Sequence, residues 1–227
     1  MEIKFHGQSC FELSEGEATL LIDPFLKPNN PAAVATAEEV NATHVAISHG
    51  HADHIADAVA VLKRTGAEAI AIVELANWLG EQGVESVKDP NFGGTVSYDW
   101  GSVALVPAWH TNTTPDGTVI GPPTGMLIKI GETTVYHAGD TCLFSDMKLI
   151  AETNPPDVFL VPIGGHYTMD RHDAAVAAGF VGAGTVIPMH FNTFPPIETD
   201  AEAFKADVES STSSEVVILA PGETHTA

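Results

Sequence analysis

The chain has 227 residues, 44% hydrophobic and 17% charged, a balance that suits a folded globular protein and excludes a disordered one. Its 30 acidic residues outnumber its 9 basic ones, for a formal net charge of −21. So negative a surface repels phosphate backbones and anionic lipid, so neither nucleic acid nor a membrane is the expected partner.

Residues 2–5, 10–14 and 18–22 read as short strands, the last two joined through the Ser14–Glu17 turn. Asp23-Pro24-Phe25 ends the third, and a loop rich in Pro and Asn runs to Pro31. Asp23 has two readings, a turn cap or a partner that holds a metal-bound histidine. A short polar segment at 36–41 precedes a strand over 44–48. Then comes His49-Gly50-His51-Ala52-Asp53-His54, three imidazoles and a carboxylate within six residues. Ile55, Val59 and Leu62 predict a helix over 55–65 that stops at Gly66.

A strand over 69–73 and a helix over 75–82 form the next unit, and strands near 84–87, 95–98 and 102–107 predict an antiparallel run that ends at Trp109-His110. Residues 111–125 are loop by composition, the longest irregular stretch, and such stretches are often lids or binding loops. Strands over 126–130 and 133–137 follow, the second leading into Ala138-Gly139-Asp140-Thr141. The remainder reads as helix 145–153, strand 157–163, helix 170–181, strand 184–188 ending in Met189-His190, helix 200–210 and strand 215–219. Strand–loop–helix units recur at 44–64 and 157–181. With no linker and no shift in composition, residues 1–227 are read as one domain with an internal pseudo-repeat.

Two cysteines, Cys10 and Cys142, make no disulfide framework, and Cys142 is expected to be a buried spectator. The N-terminus lacks the apolar core of a signal peptide and no run reaches the length of a membrane span, so a cytoplasmic protein is expected.

Imidazole nitrogens and carboxylate oxygens are zinc-type ligands, and catalytic sites of this kind leave a position open for water. His49, His51, Asp53, His54, His110, Asp140 and His190 fit one two-metal site. His110, Asp140 and His190 each stand at a strand end, where alone each would be a structural histidine or a turn. His44 and His137 are read as structural or supporting residues, and Trp109 as a wall of the site or a core residue.

At these residues the chain resembles the metallo-β-lactamase superfamily over nearly its whole length. The narrower likeness is to UPF0173-type metal-dependent hydrolases, related to ascorbate-phosphate lactonase-like proteins. It is carried by Phe5-His6-Gly7-Gln8-Ser9-Cys10-Phe11, Ile22-Asp23-Pro24-Phe25, Tyr136-His137-Ala138-Gly139-Asp140-Thr141, the Pro162–Asp170 stretch, Pro188-Met189-His190-Phe191 and Pro221-Gly222-Glu223. The resemblance implies an α/β (α+β) fold, a four-layer αββα sandwich with the active site along one edge. It implies that His49, His51 and His110 hold one divalent ion, that Asp53, His54 and His190 hold the other, and that Asp140 bridges them. The ions could be Zn, Mn, Fe or Ni.

The expected chemistry is attack by a metal-bridging hydroxide on a small ester or lactone. The alternatives are a phosphodiesterase for a small phosphodiester and a metal-binding scaffold without turnover. Asp53, Asp140 and His166 are the expected catalytic residues, Asp53 primarily as a ligand. Relatives commonly have histidine where Gln8 stands, so His166 is a candidate for that part, against a solvent-facing loop histidine. His6, Gln8 and Asp23 are candidates to support the ligands or touch substrate. The intact His49-Gly50-His51 pair argues against a di-iron oxidoreductase, which would carry glutamate at position 51, and the missing export signal against a secreted β-lactamase. The expected partner is a small-molecule substrate. A homo-oligomer stays open, because some relatives assemble and no apolar surface stripe can be singled out.

Overall fold

The polypeptide begins with an antiparallel meander of β1 (Glu2–Gly7), β2 (Cys10–Glu15) and β3 (Ala18–Ile22) in a computed structural model that describes residues 1–227. The chain then changes habit. From β4 (His44–Ala46), the helices α1 (Ala52–Ile55) and α2 (Ala58–Thr65) lead to β5 (Glu68–Ile70), and α3 (Val73–Glu81) leads to β6 (Val87–Lys88). β3, β4, β5 and β6 pair in parallel, as strands joined by helical crossovers do. α2 ends at Gly66, whose φ of 71° is a left-handed cap that a side chain would strain.

The second half repeats this plan. β7 (Thr95–Tyr98), β8 (Gly101–Pro107), β9 (Thr124–Ile130) and β10 (Thr133–His137) pair antiparallel. Next come α4 (Asp146–Thr153), β11 (Val158–Pro162), α5 (Arg171–Val181), β12 (Thr185–Met189), α6 (Ala201–Ser211) and β13 (Glu215–Val216), with parallel pairing from β10 to β13. Asp170 and Asp200 cap α5 and α6 through backbone N–H groups of their first turns. Finally β14 (Thr224–Thr226) returns to the first sheet and pairs with β1.

Each sheet has seven strands, in the orders β14-β1-β2-β3-β4-β5-β6 and β13-β12-β11-β10-β9-β8-β7. Strand periodicity divides the side chains between two cores. Val135, Val158, Leu160 and Ile187 share a core with the first sheet, while Tyr136, Phe159, Val161 and Val186 pack with α4, α5 and α6. On the far side, α2 and α3 cover the first sheet through Val61, Leu62, Leu75 and Leu79. The layers run helix, sheet, sheet, helix, the four-layer sandwich expected. No helix is long and apolar enough to cross a membrane.

Several elements differ from expectation. The helix predicted over 55–65 is two helices, because Asp57 breaks it. The Asp57 N–H donates to the Pro24 carbonyl at 3.1 Å, and its carboxylate accepts from the N–H of Leu26 at 2.7 Å and the Asn29 amide at 2.9 Å. The strand predicted near 84–87 is β6, a parallel edge of the first sheet and no part of an antiparallel run, because α3 carries the chain back across that sheet. The strand predicted over 44–48 stops at Ala46, where the Asp23 carboxylate takes over the N–H of Ser48. β13 covers only two residues of 215–219, and β14 was not expected.

This topology decides where chemistry gathers. β4, β8, β10 and β12 all end at one edge of the sandwich, and the residues just beyond those ends meet there.

Candidate metal centre

The cluster starts where β4 stops. Asp23, fully buried at the end of β3, accepts from the Ser48 N–H at 2.7 Å and the Ser48 hydroxyl at 2.6 Å. Its Oδ2 also lies 2.7 Å from His54 Nδ1, and Ser48 Oγ lies 3.0 Å from His49 Nδ1. Asp23 thus supports two histidines, one directly and one through Ser48. Gly50 is closely packed: a Cβ there would come within 2.6 Å of Ile120 Cδ1 and 3.0 Å of the Thr113 carbonyl. The same loop is held from outside by Asn112, whose Oδ1 accepts from the Gly50 N–H at 2.8 Å. His51 stands at the N-cap of α1, so Asp53 and His54 project from its first turn.

His110 follows β8, Asp140 follows β10, and His190 follows β12. Backbone ties knit these loops together. Trp109 N–H donates to Thr141 Oγ1 at 3.0 Å, and His190 N–H donates to the Gln8 carbonyl at 2.8 Å. Gly139 turns into Asp140 with φ of 61°, and a Cβ there would meet the Thr124 carbonyl at 2.5 Å. Gln8, Asp23 and His190 also have positive φ, at 57°, 46° and 54°. Such strain in non-glycine residues is held in place by the surrounding contacts.

The donor atoms fall into two groups, each within 4.8 Å: His49, His51 and His110, then Asp53, His54, Asp140 and His190. Asp140 touches both. Its Oδ2 lies 3.1 Å from His190 Nε2, 3.6 Å from His110 Nε2 and 3.9 Å from His49 Nε2, while Oδ1 lies 3.3 Å from His54 Nε2. Asp53 Oδ2 lies 3.3 Å from His190 Nε2 and accepts from the Gln8 amide at 2.9 Å.

Hydrogen bonding sets the tautomers. His54 Nδ1–H donates to Asp23, and His49 Nδ1–H donates to Ser48 Oγ, whose own proton goes to Asp23. Both rings therefore aim Nε2 inward, the atom a metal ligand offers. Burial holds His49 neutral, well below its usual pKa, and lowers His51 and His110 as well. Burial also opposes charge on His54, but Asp140, Asp53 and Asp23 outweigh it and raise its pKa well above the usual value. For His190 the same contest, won by Asp140 and Asp53, ends at about 9. Burial would protonate Asp140, yet His190 and His54 hold it well below the usual carboxylate range. Without a cation the acidic half of the cluster keeps protons on two histidines, which is the positive charge that a dication would supply.

The donor set fits such an ion on a further ground. His54 Nε2 and Asp140 Oδ1 are both buried and face each other at 3.3 Å, yet neither makes a well-aligned hydrogen bond. Unpaired buried polar atoms are costly and call for a partner.

A cavity of about 560 Å³ opens over the cluster, walled by Phe25, Phe194, Pro196 and Tyr167. Among the expected site residues, Gln8 and Asp23 stand against the ligands, and two others do not reach them. His166, expected to be catalytic, is exposed and packs edge-on against Tyr167 with ring centroids 4.5 Å apart. The turn through Gly165 and His166, both at positive φ, gives the cavity Tyr167 in its place. His6 is fully buried, but its Nε2 faces Glu12 on the neighbouring strand at 3.4 Å, so it supports no ligand. His44 packs on Tyr98 and Trp100, away from the cluster. Cys142 is exposed, not buried, and Trp109 is 65% exposed outside the cavity wall. Ser48 and Asn112 were not singled out in the sequence. Serine and asparagine in a loop carry no signal of their own, and only the contacts reveal their part.

Known proteins are similar to this chain in sequence and in fold. The profile of the family described as "Beta-lactamase superfamily domain" matches residues 2–190. A UPF0173 metal-dependent hydrolase of Methanopyrus kandleri is 44% identical over 229 residues, covering 99% of each chain. One of Listeria innocua is also 44% identical, covering 98% of this chain and 99% of its own. Among solved structures, Igni18, a metallo hydrolase of the hyperthermophilic archaeon Ignicoccus hospitalis, superimposes with a TM-score of 0.90 at 38% identity, covering 99% of this chain and 97% of that one.

Proposed function

The chain belongs to the beta-lactamase superfamily, and within it to the UPF0173 metal-dependent hydrolases, and on that footing we propose that it cleaves a small ester or lactone using two divalent ions. The observation that carries this reading is the position of Asp140. Its carboxylate faces His49 and His110 on one side and His54 and His190 on the other. A single carboxylate between two sets of imidazoles is what a pair of mutually repelling dications needs.

In this reading His49, His51 and His110 hold one ion, Asp53, His54 and His190 the other, and Asp140 both. When bound, such ions supply Lewis acidity toward a carbonyl oxygen and bring the pKa of water close to neutral. The chain's own residues do the rest. Asp23 and Ser48 hold the Nδ1–H groups of His54 and His49, so that both Nε2 atoms are aimed inward. Gln8 fixes the orientation of Asp53 through its amide. Phe25, Phe194 and Pro196 wall the cavity with apolar surface, which strengthens every electrostatic contact inside it. The nitrogen and oxygen donors suit zinc, manganese, iron or nickel. The reading puts the reaction on a small molecule and not on nucleic acid, given the net charge of −21.

Elemental analysis of the purified chain, followed by a panel of lactones, carboxylic esters, thioesters and phosphodiesters, tests this. We expect about two ions per chain and turnover of a lactone or ester. Failure to take up manganese, zinc or nickel would sink the ligand assignment. Asp140→Ala is expected to lose activity by on the order of a thousandfold, with its circular dichroism spectrum retained.

A further inference from the structure

Beside the cavity runs a second groove, of about 490 Å³, and the two share His110 and Thr111. We infer that this groove, between Trp109 and Ile120, holds the apolar tail of an uncharged ester whose carbonyl lies at the metal centre. The inference rests on the hydrolase reading above and narrows its substrate class.

Three observations carry it. The first is exposed apolar surface in one place. Val119 is 82% exposed, Trp109 65% and Phe92 38%, and all three line the groove, with Ile120 buried beside them. Large apolar side chains gathered in a hollow next to a reaction centre mark a binding surface.

The second is charge. None of the chain's 9 lysines and arginines lines either the cavity or the groove, and the groove has no Asp or Glu. A carboxylate or phosphate on the substrate tail would find no cation there, in a chain of net charge −21. Such a group would lose its water without gaining a partner. An alkyl or aryl tail loses nothing and removes apolar surface from water.

The third is that the groove is already built. Asn112 ties its loop on both sides, accepting from Gly50 N–H at 2.8 Å and donating to the Gly121 carbonyl at 2.9 Å. Asp116 accepts from Thr114 Oγ1 at 2.6 Å, Thr118 N–H at 3.0 Å and Trp78 Nε1 on α3 at 3.1 Å. The wall is fastened to α3 and to the histidine loop, so binding carries little ordering cost. Hydrolysis breaks the acyl C–O bond, consumes one water and releases an acid and an alcohol, with the acyl chain in the groove.

The test uses the full, manganese-loaded chain and four p-nitrophenyl esters: acetate, butyrate, octanoate and the monoester of octanedioic acid, which matches octanoate in length but ends in a carboxylate. We expect kcat/KM to rise from acetate to octanoate by on the order of tenfold to a hundredfold, through KM. The octanedioate monoester falls back to the acetate level. Val119→Asp collapses the octanoate-to-acetate ratio. Octanamide, which is not turned over, perturbs tryptophan fluorescence in the native chain but not in Trp109→Phe. If acetate is cleaved and chain length or terminal charge makes no difference, the groove assignment is overturned while the hydrolase reading stands. If the metal-loaded chain cleaves none of the esters, the ester reading falls and the groove assignment with it. If Val119→Asp changes the mass in light scattering and leaves the ratio intact, the groove is an interface between copies and the inference is overturned.

Discussion

His137 Nε2 donates to the Ser9 carbonyl at 3.1 Å, a bond from the end of β10 in the second sheet to the β1–β2 turn of the first. Its other nitrogen accepts from the Gly139 N–H at 3.1 Å, one residue before Asp140. The ring must be neutral to do both, and burial accordingly lowers its pKa below the usual histidine value. The folded pKa is depressed and the unfolded one is about 6.5. The unfolded chain therefore binds this proton first as pH falls, so this stability is complete above about pH 6.5 and shrinks below it. Urea denaturation at pH 7.5 and pH 5.5 should show a smaller loss in His137→Gln, whose amide can still donate to Ser9, than in the native chain. An equal loss in both would remove His137 from the account.

Asp23→Asn keeps an acceptor for Ser48 but removes the charge behind His54 and His49. Metal affinity should fall about 10- to 100-fold, as it does when the partner of a liganding histidine is lost. Competition with a fluorescent chelator measures this, and unchanged affinity would make Asp23 a turn residue only.

The seven proposed ligands come from both sheets, so an ion bound among them would join the two. Removal with EDTA should lower the thermal midpoint, and manganese at about a hundredfold excess over its dissociation constant should restore about 2.7 kcal/mol. For a chain of this length that is about 5–10 °C. Scanning fluorimetry with and without the chelator reads it directly, and identical midpoints would mean that the cluster binds nothing tightly.

The two thiols should react very differently. Burial pushes the Cys10 thiol far above its ordinary pKa, and Cys142 is exposed. A maleimide should label one site per native chain and two after denaturation, with mass spectrometry locating the native label on Cys142.

What could be read in advance followed the range of the interactions. The six-residue cluster was legible because its ligands are neighbours in sequence. His110, Asp140 and His190 were legible as strand ends, since an apolar run that stops at a polar residue shows in the sequence. The parallel β6 and the returning β14 were not legible. Two or three residues at a sheet edge carry too little alternation to reveal their pairing, and β14 is the wholly polar Thr224-His225-Thr226. The break at Asp57 rests on a backbone contact to Pro24, which no local pattern announces. The orientation of His166 was illegible for a related reason. Gly164-Gly165-His166-Tyr167 marks a turn, but which of its side chains faces the cavity is set by the left-handed conformation of Gly165 and His166.

The Asp23 carboxylate has one further consequence. It reaches a histidine of each donor group, His54 directly and His49 through Ser48. On the two-ion reading, whatever one ion does to the position or charge of Asp23 is felt by the other, and thermodynamic linkage makes that influence mutual. The two positions should load as a cooperative pair, with a titration curve that no sum of two independent sites can fit.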